Sequence, residues 1–214
     1  GRMGYDERIM ARRTSARREL PAVDDRLVMP ESGIEILDGV VLKVPGADFP
    51  HASHHSRLAY LLEAHVAPGF HAVVDMLTRT SEDSDFAPDA SIFPEGPDVL
   101  TGGRRLEVLA FEIVSKQRLS VPTKKARELS RRGVSRVFAI VLSRQRVLEW
   151  DRRSDRFRPM HLDEVIADAS LVVSLPGRAL VETARMDEAV VAALEARRPD
   201  LIDRLRTVAE ARGE

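Results

Sequence analysis

Two periodicities alternate along the chain. Between Ile34 and Val44, two apolar runs flank Asp38-Gly39, a pair that tolerates positive φ and so predicts a tight hairpin. From His51 to Val66, Leu58, Leu61, Leu62 and His65 recur at helical spacing, and Pro68-Gly69 stops the helix. Three strand-like runs follow, Phe70–Leu77, Pro88–Phe93 and Leu106–Val114. The last is continuously apolar apart from Glu107 and Glu112, as suits a strand covered on both faces. Pro122 fits the first turn of a helix that ends near Arg132 at Gly133. Val137–Leu142 predicts another buried strand, Arg146–Trp150 its partner across Ser143-Arg144-Gln145, and Phe157–Met160 a continuation of the meander. Beyond Leu175-Pro176-Gly177, the residues Val190, Leu194, Leu201, Leu205 and Val208 make a helical apolar stripe broken by Pro199.

This order of elements predicts an α/β fold, a mixed central β-sheet flanked by helices, with a helical C-terminal extension. Residues 1–21 read as a basic N-terminal arm, 22–180 as the main domain and 181–214 as the extension. The 214 residues suffice for a substantial core. Zero cysteines exclude disulfides, thiolate metal sites and cysteine nucleophiles, and fit a cytoplasmic protein. No apolar stretch is long enough to span a membrane, and the N-terminal residues carry no apolar signal core. A net charge of −1 gives no global attraction to phosphate, so any such attraction has to be local. Of 33 basic residues only Lys43, Lys116, Lys124 and Lys125 are lysines, and three of these fall within ten residues.

Two carboxylates stand where strands should be apolar: Asp89 after Pro88, and Glu112 within Leu109–Val114. A buried carboxylate is unfavourable unless it is paired or binds a cation. If the two strands are neighbours, both acids can meet one ion. Oxygen donors without cysteine favour Mg²⁺ or Mn²⁺ over zinc. Side chains alternate along a strand, so Val114 shares a face with Glu112. Lys116 has the same parity but lies further along, towards the loop. Lys125 is one helical turn before Leu129, and Ala126 with Leu129 marks the sheet-facing side, so Lys125 can point inward. Lys124, Arg127 and Arg131 form a separate, more exposed stripe of possible phosphate contacts. His51 and His55 sit one turn apart, but Ala52 stands where a zinc-protease helix has glutamate, which argues against a histidine zinc site.

Pro88-Asp89, then Glu112-Ile113-Val114 and a following lysine, resembles the PD-(D/E)XK nuclease superfamily. More narrowly, the chain resembles the Uma-two family of restriction-endonuclease-like proteins, which are mostly bacterial. The resemblance is carried by Ile34-Glu35-Ile36-Leu37-Asp38-Gly39, His51 ahead of Leu58, Ala87-Pro88-Asp89, Phe111-Glu112-Ile113-Val114-Ser115, Lys125 and Gly133-Val134, in that order. It departs from the superfamily at Val114, where the lysine usually stands; the family takes its lysine from the next helix, which lands on Lys125. The resemblance implies a restriction-endonuclease-like core and metal-assisted hydrolysis of DNA. Asp89, Glu112 and the Ile113 carbonyl would hold Mg²⁺ or Mn²⁺, Lys125 would orient water or stabilise the phosphate, and Glu35 would be a further acid of the site. His51 would hydrogen-bond an acid or a phosphate.

A second reading keeps the fold without catalysis, as a nucleic-acid-binding or scaffold protein with a decayed site; Val114 and the near-neutral charge favour it. A hydrolase centred on the histidines is a third. The C-terminal stripe is compatible with a homodimer contact, and no DNA-reading module accompanies the candidate site.

Overall fold

The computed structural model describes residues 33–44, 46–116 and 118–213. The basic arm predicted over residues 1–21 lies outside them. Strands β1 (Gly33–Leu37) and β2 (Val40–Val44) form the predicted hairpin. Its turn residues Asp38 and Gly39 have φ of 53° and 73°, so both need the left-handed conformation that Asp-Gly accepts. Helix α1 (Phe49–His65) is capped by Asp48, whose carboxylate accepts from the His51 backbone N–H at 3.0 Å. Strands β3 (Phe70–Val74), β4 (Thr78–Ser81), β5 (Ser84–Phe86), β6 (Ala90–Pro94) and β7 (Leu109–Val114) precede helix α2 (Ser120–Arg132). Strands β8 (Arg136–Val141), β9 (Arg146–Asp151), β10 (Arg156–Met160), β11 (Val165–Ile166) and β12 (Leu175–Pro176) lead to helices α3 (Thr183–Arg197) and α4 (Pro199–Arg212).

The main sheet has six strands in the order β10-β9-β8-β7-β6-β3. Only β7 and β8 run parallel, since α2 carries the chain from the end of one to the start of the other. A smaller antiparallel sheet is ordered β2-β1-β5-β4. The fold is the mixed α/β arrangement expected, and the additional β4–β5 hairpin belongs to the smaller sheet.

Strand β7 is buried along its whole length, and its two faces meet different surroundings. Phe111 and Ile113 join Ile92, Phe138 and Ile140 beneath Leu58, Leu61 and Leu62 of α1. Helix α3 adds Met186, Ala189, Val190 and Ala193 to this core. On the other face, Ala110 packs with Ala126 and Leu129 of α2 and with Leu37 and Phe86 of the smaller sheet. The buried positions of α2 are Pro122, Lys125, Ala126, Leu129 and Ser130, a stripe at i, i+3, i+4, i+7 and i+8 that includes one charge. Gly133 ends this helix at φ 124°, a conformation open to glycine.

Some element boundaries differ from the sequence expectation. Strand β7 starts at Leu109, because Glu107 is drawn into a buried contact with Thr78 and Arg104 instead of continuing the strand. Asp89 stands one residue ahead of β6. The C-terminal stripe divides at Pro199: Val190 and Leu194 pack on the main core, whereas Leu205 and Val208 of α4 are exposed.

Candidate functional site

The polar groups of interest gather where β1, the segment after β5, β7 and α2 meet. Strand alternation sends Glu112 to the same face of β7 as Ala110, towards α2. There the Lys125 ammonium lies 2.8 Å from Glu35 Oε1 and 3.8 Å from Glu112 Oε2. It also donates to the Ala87 carbonyl at 3.0 Å. Glu35 Oε1 in turn accepts from the Ala87 backbone N–H at 3.1 Å, so one glutamate ties β1, the segment after β5 and α2 together. Lys125 lies over the Phe86 ring, 5.5 Å from its centroid. Lys116 does not enter this group: it is exposed and pairs with Asp48 at 3.0 Å.

Asp89 approaches from the adjacent strand. Strand β6 pairs with β7 at Ala90 and Phe111, so one further step along the ladder sets Asp89 opposite Glu112. One Asp89 oxygen accepts from the Ile113 backbone N–H at 2.5 Å, and the other lies 3.4 Å from His51 Nε2. His55, one turn further along α1, places Nε2 2.7 Å from the Asp89 carbonyl and 3.5 Å from the Asp75 carboxylate. The two imidazoles stack with centroids 6.0 Å apart.

The electrostatics follow from this geometry. Burial lifts the Glu112 carboxyl well above the usual carboxylate range; Lys125 opposes the shift, while Asp89, Glu35 and Asp75 reinforce it. For Lys125 burial acts downward, but Glu112 and Glu35 outweigh it and hold the ammonium above its ordinary value. The hydrogen bond to Asp89 raises His51 against the effect of burial. Glu112 Oε1 is buried without a hydrogen-bond partner. The candidate phosphate stripe is already matched with acids: Lys124 lies 4.0 Å from Asp38, Arg127 2.8 Å from Asp155 and Arg131 3.1 Å from Glu128.

The histidines in the first half of α1 divide in use. His54 is lowered to about 4, chiefly by burial, and belongs to the helix packing rather than to the acids. Asp75 and the Ala87 carbonyl were not foreseen. The pairing of Val74 with Ala90 puts Asp75 beside Asp89, which becomes visible only once β3 is known to pair with β6.

A sequence model of the Uma2 family, described as "Putative restriction endonuclease", matches residues 22–180. The chain belongs to the Uma2 family. The fold of this Uma2 protein is similar to a solved structure described as a "putative nuclease belonging to DUF820" from Anabaena variabilis ATCC 29413. The two share 20% identity at a TM-score of 0.58, over 72% of this chain and 92% of the other, a likeness that concerns the fold. A search of curated proteins finds no match. Among the described residues, no helix is long and apolar enough to cross a membrane.

Proposed function

We propose that this Uma2 protein is a divalent-metal-dependent endonuclease that hydrolyses DNA phosphodiester bonds, with Asp89, Glu112, Lys125 and Glu35 as its working residues. The observation that carries this reading is a buried lysine shared by two glutamates beside a third carboxylate. An ammonium has three N–H donors. Two of Lys125's go to Glu35 and the Ala87 carbonyl, and Glu112 stands beyond hydrogen-bond length, which leaves the third for a phosphate oxygen or the attacking water.

The donor set suits a hard cation. Glu112 Oε1 is a buried carboxylate oxygen lacking a partner, and such a group is destabilising by roughly 1–3 kcal/mol or more unless something binds it. Asp89, Glu112 and the Ile113 carbonyl would hold Mg²⁺ or Mn²⁺ as oxygen ligands. Bound there, the ion would supply Lewis-acid polarisation of the phosphate and activation of water at neutral pH. Glu35 fixes the Lys125 ammonium, and His51 holds one oxygen of Asp89. Lys124, Arg127 and Arg131 would contact flanking phosphates by exchanging their present acidic partners. In this reading residues 22–180 are the nuclease-like unit, and a homodimer through the C-terminal helices would cover the exposed Leu205 and Val208.

The alternative, a DNA-binding scaffold without catalysis, is favoured by Val114 at the usual lysine position and by the neutralised arginine stripe. Plasmid cleavage with Mg²⁺ or Mn²⁺ separates the two. The expected result is nicking by the wild type, reduced at least about 10²-fold in Asp89→Ala and Lys125→Ala. Cleavage unaffected by both substitutions would contradict the site. Salt-sensitive DNA binding without cleavage would support the scaffold.

A further inference from the structure

Strand pairing carries the face of β7 that holds Glu112 across the sheet. Glu112 is level with Ala139 of β8, and Ala139 with Leu148 of β9. One step nearer the sheet end, Val114 is level with Val141, and Val141 with Arg146. Residues level in a ladder share a face, so Arg146 stands on the face of Glu112, in the row that starts at Val114. The packing of Val114, Ala139, Val141 and Leu148 into one cluster agrees with this assignment. Two strand spacings of about 4.8 Å set the Arg146 Cα about 10 Å from that of Val114. Position 114, where a lysine would stand beside the acids, is an uncharged, buried valine, and the cation of its row is the exposed arginine at the far end.

The turn between β8 and β9 holds this cation in a fixed place. Leu142–Arg144 makes one 3₁₀ turn, and the Gln145 N–H donates to the Leu142 carbonyl at 3.2 Å. Gln145 itself stands at φ 46°, in the left-handed region that is unfavourable for glutamine. Arg144 and Arg146 flank it, both exposed, and neither guanidinium has an ion pair or hydrogen bond with another described residue. Both line a surface cavity of about 350 Å³ whose other wall carries His161 and Arg178. Those two are engaged: Arg178 pairs with Asp163 at 2.7 Å and with Glu182 at 3.0 Å, and His161 lies 3.5 Å from Asp163. Lys124, Arg127 and Arg131 on α2 are matched with acids in the same way. A polyanion approaching the α2 stripe therefore has to displace carboxylates, whereas at the β8–β9 turn it meets free positive charge.

We propose that Arg144 and Arg146 form a docking edge for the DNA phosphate backbone, beside the Glu112/Lys125 site and separate from the α2 stripe. DNA carries one phosphate per 3.4 Å of axis on each strand, so a separation of about 10 Å places this edge about three nucleotides from the phosphate held at the acids. Guanidinium forks suit phosphate oxygens, and contacts of this kind position a duplex without reading its sequence, as expected of a chain with no DNA-reading module. The inference rests on DNA as the substrate in the proposed function but not on its cleavage.

The test is the salt dependence of binding to a fluorescent duplex of about 20 base pairs, read by anisotropy with the full chain, in EDTA and again with Ca²⁺. Arg144→Ala/Arg146→Ala should lower the slope of log K against log salt by about 2 and weaken binding at least about 10-fold at about 0.1 M salt. Arg144→Lys/Arg146→Lys keeps the charge and should bind within about threefold of wild type. Arg152→Ala/Arg153→Ala removes the same charge from an exposed turn at the opposite end of β9 and should leave the slope unchanged. Equal weakening in the two alanine pairs, an unchanged slope in Arg144→Ala/Arg146→Ala, or no salt-dependent binding by wild type in either buffer overturns the proposal. Plasmid cleavage with Mg²⁺ reports on the other reading separately: loss of binding confined to Arg144→Ala/Arg146→Ala, with no cleavage by wild type, would contradict the nuclease alone and leave the docking edge standing.

Discussion

The two faces of β7 use the same backbone for opposite ends. Towards α1 and α3, Phe111 and Ile113 enter a continuous apolar core, with Phe111 stacked on Phe138 at 5.2 Å. Towards α2, the neighbouring position carries Glu112 against a buried Lys125 and Glu35. The first face gains stability from every side chain it covers. The second holds a charged cluster whose desolvation opposes folding and whose Oε1 atom is left without a partner. A fold that needed only a core would place a leucine at 112. On the proposed reading, this contrast marks the α2 face as the part of the molecule shaped for a ligand.

The contrast can be broken first by stability. Phe111→Ala should destabilise by about 3–5 kcal/mol, the usual result for a large buried aromatic, with denaturant unfolding as the measurement. A loss below about 1 kcal/mol would mean that the apolar face is not the main source of stability.

The faces should also respond oppositely to acid. His54 has its folded value depressed to about 4, so its neutral form contributes stability that is present above pH 6.5 and lost as pH falls towards 4. After a discount for partial exposure this amounts to roughly 2 kcal/mol, and His54→Leu should remove that part of the acid sensitivity in urea melts across this range. Glu112 is raised in the folded state, so its protonated form contributes stability below its unfolded value near 4.5 that is lost as pH rises through the folded value. In the ion-free protein Glu112→Gln should therefore flatten the decline on the alkaline side, and His54→Leu should not.

Much of the fold was legible because its signals are local. Asp38-Gly39 announced the hairpin, Pro122 and Gly133 bracketed α2, and the apolar run to Val114 announced a strand covered twice. The β4–β5 hairpin was not legible: Thr78-Arg79-Thr80-Ser81 is polar, and Thr78 and Thr80 are buried by tertiary contacts that no local pattern encodes. Among the site residues, the inward direction of Lys125 followed from helical phase with Leu129. Asp75 stayed hidden because its place depends on which strand pairs with which. His55 stayed hidden because its contact with the Asp89 carbonyl depends on how α1 sits against the segment before β6. The partners of Lys124, Arg127 and Arg131 come from distant turns or from one helical face, and the charge pattern alone did not reveal them.

The measurement closest to the central contrast is the melting temperature of wild type and Glu112→Gln, each with and without Mg²⁺. If the acid cluster is shaped for a cation, the ion-free variant should be within about 1 kcal/mol of wild type or more stable, because the substitution removes a buried, poorly satisfied acid. At a concentration 100-fold above its Kd, Mg²⁺ should raise the melting temperature of wild type by about 5–10 °C and leave the variant nearly unchanged. An equal rise in both proteins, or a large loss of stability in the ion-free variant, would show that Glu112 serves the fold and not a bound cation.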